Sequence, residues 1–166
     1  MKAGLSAWVA GLAGVLLAGC ALFADPGRIQ PGAPVAEVLA QLGRPSARYP
    51  QDAGERLQYS YQPAGQRVFD IDVDAQGRVT RVEQVLDEPL FAQRIQPDRW
   101  TRADVLREYG APAEIRRVHN FDGEIWLWRY ISGVTWRLLF IDVDPAGIVR
   151  GWSVGDEYLP DPPDPR

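Results

Sequence analysis

Ala36-Glu37-Val38-Leu39-Ala40-Gln41-Leu42-Gly43-Arg44-Pro45 returns 67 residues later as Ala103-Asp104-Val105-Leu106-Arg107-Glu108-Tyr109-Gly110-Ala111-Pro112. Working outward, Ile71-Asp72-Val73-Asp74-Ala75-Gln76-Gly77 aligns with Ile141-Asp142-Val143-Asp144-Pro145-Ala146-Gly147 at an offset of 70, and Glu55, Tyr59 and Tyr61 align with Glu124, Trp128 and Tyr130 at an offset of 69. Small loop insertions produce such a drift. The chain is one supersecondary unit written twice.

Each unit opens with a helix. Val35, Val38, Leu39 and Leu42 recur at helical spacing, as do Val105, Leu106 and Tyr109. Pro34 suits a first turn, and Thr101 with Asp104 three residues on resembles a capping box. Gly43 and Gly110 are expected to close the helices in the left-handed region, with Pro45 and Pro112 preventing their resumption. Strands follow. In the first copy they are expected at 56–62, 67–73 and 78–85, with turns at Pro63-Ala64-Gly65 and Gln76-Gly77. In the second they are expected at 114–120, 124–131, 134–143 and 148–154, with turns at Asp122-Gly123, Ser132-Gly133 and Pro145-Ala146-Gly147. The fold class is α+β: two tandem repeats, each a short helical start packed on a three- or four-stranded antiparallel sheet.

The N-terminal segment has a different purpose. Lys2 precedes an apolar run from Leu5 to Ala18, too short to span ~30 Å of hydrocarbon comfortably as a permanent helix, and no basic stop-transfer flank follows. Leu17-Ala18-Gly19-Cys20 resembles the bacterial lipobox, which implies cleavage before Cys20 and acylation of its thiol and new amino group. Cys20 is the only cysteine, so no disulfide framework competes for it. The expected organisation is a signal peptide at 1–19, a lipidated tether at 20–30, repeat one at 31–86, a linker at 87–96, repeat two at 97–156 and a Pro-rich tail at 157–166.

Lys2 is the only lysine among 18 basic residues, which face 22 Asp and Glu. Loss of the signal takes the formal charge from −4 to −5. Without a clustered basic face, that balance argues against nucleic-acid binding. No nucleophile has a local partner and no Gly-rich phosphate loop is present, so the chain reads as non-catalytic and without a cofactor. His119, the lone histidine, reads as a solvated strand residue rather than a metal ligand. Asp70, Asp72 and Asp74 have the spacing of a calcium loop, but Ala75 stands for the required Gly and Arg81 for the bidentate Glu. They read as a solvated strand edge.

The copies differ most on one face. Leu57, Tyr59, Tyr61, Phe69, Ile71 and Val73 correspond to Trp126, Trp128, Tyr130, Leu139, Ile141 and Val143, apolar in both and expected under the helices. On the opposite face, repeat one places Arg56, Gln58, Gln62, Gln66 and Asp70, which suits water. Repeat two places Ile125, Leu127, Ile131, Trp136, Leu138 and Phe140 there. Such an apolar face is either an inter-repeat seam or a surface for a partner, with Trp136 and Phe140 as anchors and Ile125, Leu127 and Leu138 around them.

The Gly-x-Pro closure, the Tyr/Trp-x-Tyr strands and the final hairpin at Asp-x-x-Gly resemble the SmpA/OmlA (BamE-like) lipoprotein family, over 31–85 and again over 97–154. The resemblance implies a lipobox, helices on an antiparallel sheet, and a part in outer-membrane β-barrel assembly. The tandem copies are similar to the β-lactamase inhibitor protein fold, which implies a concave sheet that grips a protein target. An outer-membrane anchor facing the periplasm is the location this implies, since Ala21 after Cys20 is not the acidic residue of inner-membrane retention. The expected partners are the membrane, through Cys20, and a protein of the envelope. Cys20→Ser should abolish acylation, and metabolic labelling with a fatty acid checks this: undiminished label in the variant would refute the lipoprotein reading.

Overall fold

Gly77 and Gly147 occupy the same place in two units that share their hydrogen bonds almost bond for bond. Val35 N–H donates to Gly77 O at 2.8 Å, and Arg102 N–H to Gly147 O at 2.9 Å. The bridge Pro34–Arg78 recurs as Thr101–Ile148. Tyr59 Oη donates to Gly43 O at 3.1 Å where Trp128 Nε1 donates to Tyr109 O at 3.0 Å. Even the β-bulge is copied, at Asp72/Val73 and Asp142/Val143. The computed structural model that carries these contacts describes residues 24–158. The signal peptide 1–19, with Leu17, Ala18 and Gly19, together with Cys20 and the tail from 159, lies outside the described residues.

Repeat one runs α1 (Val35–Leu42), β1 (Ala47–Gln51), β2 (Gly54–Ser60), β3 (Val68–Asp74) and β4 (Val79–Gln84). α2 (Glu88–Arg94) follows, then repeat two: α3 (Arg102–Tyr109), β5 (Glu114–Arg116), β6 (Glu124–Ser132), β7 (Thr135–Val143) and β8 (Val149–Asp156). Each sheet is a four-stranded antiparallel meander in sequence order. The protein is α+β, with three short helices among the described residues and two such sheets.

The apolar faces lie where alternation puts them. Val38 of α1, with Leu39 and Leu42, packs on Leu57, Tyr59, Phe69, Ile71 and Val73 of the first sheet. Val105 and Tyr109 of α3 pack on Trp126, Trp128, Tyr130, Leu139, Ile141 and Val143 of the second. Thr101 and Asp104 form the capping box, each satisfying the other's backbone N–H.

Several segments depart from the sequence reading. Residues 87–96, expected as a linker, form α2, with Asp87 at its N-cap and Pro89 in its first turn. Phe91 is fully buried, edge-on to Tyr109, Tyr130 and Trp152 at centroid distances of 5.8, 5.3 and 6.2 Å. An aromatic plug of that kind fixes α2 more firmly than charge alternation suggests. The tether is shorter than 20–30, because Asp25 accepts from Gly27 N–H to start a 3-10 turn at Pro26–Arg28, and Ile29 is buried in the first core. The body also extends past 156: Glu157 N–H donates to Trp136 O. The first sheet gains β1, absent from the sequence reading, and β5 stops at Arg116, leaving His119 in an exposed turn rather than on a strand. Tyr61, expected under a helix, lies beyond the end of β2 and is 44% exposed.

Gly43 (φ 74°, ψ −157°) and Gly110 (φ 71°, ψ −168°) have positive φ as expected, but their ψ is extended rather than left-handed helical. This corner is open essentially to glycine alone, and it sends the chain straight out towards β1 or β5. A Cβ on Gly43 would meet nothing within 4 Å, whereas one on Gly110 would stand 2.8 Å from Gln58 Oε1 in the other repeat. Gly43→Ala should therefore cost ~1–3 kcal/mol from backbone strain, and Gly110→Ala at least ~1 kcal/mol more from overpacking. Denaturant unfolding of the two variants checks this. Equal losses would show that the repeats are not in close contact at Gly110.

Candidate functional site: the outer face of the second sheet

Which face of each sheet is free depends on how the repeats meet. α3 covers the second sheet with one side and abuts the far face of the first with its C-terminal end. Tyr49 Oη donates to Leu106 O at 2.9 Å, and Gln58 Nε2 to Arg107 O at 3.2 Å. The face of repeat one read as wet is thus the seam: Gln58 and Asp70 are 1% and 0% exposed, and Arg56 is 9% exposed. Burial there is tolerable because charges close a ring. Arg56 grips Asp72 with Nε–Oδ1 at 2.7 Å and Nη2–Oδ2 at 3.2 Å, and Asp72 also accepts from Arg81 Nε at 2.9 Å. Arg81 pairs with Glu83, Glu83 with Arg94, Arg94 with Glu108, and Glu108 with Arg56 at 3.6 Å.

Asp70 is the extra carboxylate inside that ring. Gln58 Nε2 donates to its Oδ1 at 3.1 Å, while Oδ2 accepts no hydrogen bond although Arg56 Nη1 is 3.0 Å away. Burial, opposed only partly by Arg56, pushes the Asp70 carboxyl up to about 7. Burial would also raise Asp72, but the bonds from Arg56 and Arg81 outweigh it and hold that group below the usual carboxylate range. The Asp70-x-Asp72-x-Asp74 series is therefore not a solvated edge. Asp70 and Asp72 serve the seam, and Asp74 caps a turn by accepting from Gln76 and Arg78 N–H. Among the described residues no group of three or more His, Cys, Asp or Glu is placed to hold a metal ion.

A second stitch lies where β5 has ended and the edge of β6 is open. Gln62, also read as water-facing, acts as a strand surrogate: its Nε2 donates to Arg129 O at 2.7 Å and its Oε1 accepts from Arg129 N–H at 3.2 Å. The Arg129 guanidinium returns the contact, donating to Pro63 O at 3.0 Å and Ala64 O at 3.3 Å.

The seam accounts for the polar face of repeat one and leaves the apolar face of repeat two on the outside. Across β6 and β7, Ile125 is opposite Asp142, Leu127 opposite Phe140, Arg129 opposite Leu138, and Ile131 opposite Trp136. The residues singled out from sequence share this face, but their exposure is uneven. Leu127 is 3% exposed, Ile125, Leu138 and Phe140 are half-buried, and Trp136 and Ile131 are each 38% exposed. Strand β8 contributes small residues there: a Cβ on Gly155 would stand 3.3 Å from Phe140 Cε2, so that ring lies close over a glycine rather than projecting. Asp142, beside Gly151, has its carboxyl raised by burial. Beside Phe140 a cavity of about 570 Å3 crosses the sheet, floored by Leu127 and Leu138. The ion pairs Glu114–Arg116 and Arg129–Glu157 edge it, and Pro63 from repeat one overhangs it. Arg129 also covers the Trp136 ring at 5.6 Å.

The fold and this face define an α+β protein of two four-stranded units with one apolar sheet face outward. No family model and no curated protein matches the chain. A solved structure, that of a DUF4309 family protein (YjgB) from Bacillus subtilis subsp. subtilis str. 168, is similar over 74% of this chain and 77% of its own, at 11% identity and a TM-score of 0.31.

Asp70 sets a pH dependence. Its folded value lies above its ordinary 3.8, so the native state binds more protons between there and about pH 7. The stability it confers is present below the unfolded value and lost as pH rises through about 7. Asp70→Asn should flatten the fall in stability between pH 5 and 8, by up to ~3 kcal/mol at ~1.4 kcal/mol per pKa unit. Denaturant titrations across that range check this. An unchanged slope in the variant would place its origin elsewhere.

Proposed function

We propose that the protein is a lipid-anchored, non-catalytic binding component of the outer membrane, facing the periplasm and working in β-barrel protein assembly or envelope integrity. The observation that carries the reading is that repeat one buries its polar face against α3 of repeat two, which leaves the apolar, cavity-bearing face of repeat two outward. A half-apolar concavity edged by ion pairs is suited to a protein segment, with Leu127 and Leu138 as its apolar floor, Phe140 on the same sheet face, and Arg129 and Glu157 as its polar margin. Ile125 and Trp136 extend the same face. The lipobox at Cys20 and the resemblance to the SmpA/OmlA (BamE-like) family support the location and the assembly role.

A second reading has its own support. The outward sheet face with its cavity is also the kind of surface with which a tethered inhibitor similar to the β-lactamase inhibitor protein would grip a soluble enzyme. A photo-crosslinking residue in place of Leu138, activated in cells, separates the two. Adducts with β-barrel assembly subunits are the expected result. Adducts with a soluble periplasmic enzyme alone would favour the inhibitor. A folded, acylated protein with no adduct would overturn the binding role of this face.

A further inference from the structure

Seven large apolar side chains are exposed among the described residues, and four of them gather at one end of the molecule. Ile131 and Trp136 face each other across the last rungs of the β6–β7 hairpin, and Val134 sits at its turn, 96% exposed. Tyr158, 91% exposed, follows directly on Glu157, whose N–H is bonded to Trp136 O, but it lines the cavity floored by Leu127 and Leu138 rather than the tip. Tyr61 joins from repeat one: with Phe69, Pro26 and Ile131 it lines a cavity of about 390 Å3 that spans the two repeats. The remaining two, Ile115 and Val118, belong to β5 and the loop after it, towards the other end of β6.

Ala24 lines that same cavity. It is four residues from Cys20, and a fully extended chain of that length reaches at most ~14 Å. Acyl chains on Cys20 would place its backbone at the bilayer surface. The end that carries Ala24 then cannot stand off by more than about the thickness of a headgroup layer or two. The opposite end of β6, eight residues away, is ~27 Å further along the strand. Charge does not oppose the approach. Asp25 pairs with Arg67 at 3.6 Å and Glu157 with Arg129 at 2.6 Å, while Asp156 and Glu88 share Arg137, so each of these carboxylates is paired with a guanidinium. Trp and Tyr flanking aliphatic side chains is the composition that favours the bilayer interface, where one part of the ring is apolar and the other wet.

We infer that this end, formed by Tyr61, Ile131, Val134 and Trp136, rests in the interfacial layer of the membrane that holds the lipid anchor. The occupant is a phospholipid surface, not a protein. The inference rests on the lipoprotein reading of Cys20 and deepens it: the acyl chains supply attachment, and the hairpin tip supplies orientation. The cavity floored by Leu127 and Leu138, one stretch of sheet away, then faces along the membrane surface rather than away from it.

The test uses the acylated chain in phosphatidylcholine vesicles. Cys20 is the only cysteine and its thiol carries lipid in this reading, so Val134→Cys introduces a single thiol for a nitroxide label. Asn120→Cys, in the exposed loop between β5 and β6, is the control. The expected result is a ratio of oxygen to nickel-chelate collisions at least several-fold higher at position 134 than at position 120. A matching pair of water-like ratios on a chain whose intact mass shows the acyl groups would overturn the membrane-facing tip and leave the anchor standing. A chain without acyl groups would overturn the anchor, and this inference with it.

Discussion

Arg56, Asp72, Arg81, Glu83, Arg94 and Glu108 alternate in sign around a closed circuit drawn from β2, β3, β4, α2 and α3. Three guanidiniums and three carboxylates cancel. That neutrality is what allows an arginine to be buried between a sheet and a helix at all, since an unpaired charge there would cost several kcal/mol. The circuit also determines the architecture. Two bonds of the ring reach into α2 and α3, so α3 is held against both sheets at once and α2 is drawn in behind it. Each half-protein, under sixty residues, is too small to stand comfortably alone, and the ring with the Gln62–Arg129 stitch makes one body of the two.

Asp70 follows from the same count. The ring is neutral without it, so a seventh group that ionised would leave an uncompensated negative charge in a desolvated seam. Burial pushes its carboxyl up to about 7 against the pull of Arg56 and of the Gln58 hydrogen bond, and that Gln58 side chain is the one Gly110 approaches. A buried ion ring of this kind contributes little net stability relative to an apolar seam, but it is demanding in geometry.

Duplication, helix ends and most strands were legible in the sequence, because local signals carry them. Gly-x-Pro closes a helix wherever it stands, Thr101 and Asp104 cap within one turn, and period-two alternation separates two faces. The segments misread were those whose structure depends on distant partners. Residues 87–96 look like a linker by their charges, yet Arg94 is matched by Glu83 and Glu108, and Phe91 by aromatics from 109 to 152. Arg56, Gln58, Gln62 and Asp70 look wet because alternation reports polarity and not exposure. Their partners lie 12 to 67 residues away in the chain. The Asp87-Glu88-Pro89 start of α2 was the one local signal that could have been read and was not. On the outer face of repeat two, the sequence placed Ile125, Leu127, Trp136, Leu138 and Phe140 together, as the structure does. It could not show that the glycines of β8 let Phe140 lie flat while Trp136 stays exposed.

The two copies therefore divide the work by which face each keeps polar. Repeat one turns its polar face inward, where a neutral ring makes it a seam, and so cannot offer that face to anything else. Repeat two keeps its apolar face outward, and its sheet is longer: β6 and β7 have nine residues each, against seven for β2 and β3. The two extra rungs carry the hairpin outward and leave Val134 at its turn 96% exposed, while Ile131 still borders the cavity shared with repeat one. The extension separates the concave middle of the face, bordered by Arg129 and Glu157, from an apolar end beside the point where the chain leaves for Cys20. One sheet thus carries two surfaces of different chemistry, and their spacing is set by strand length.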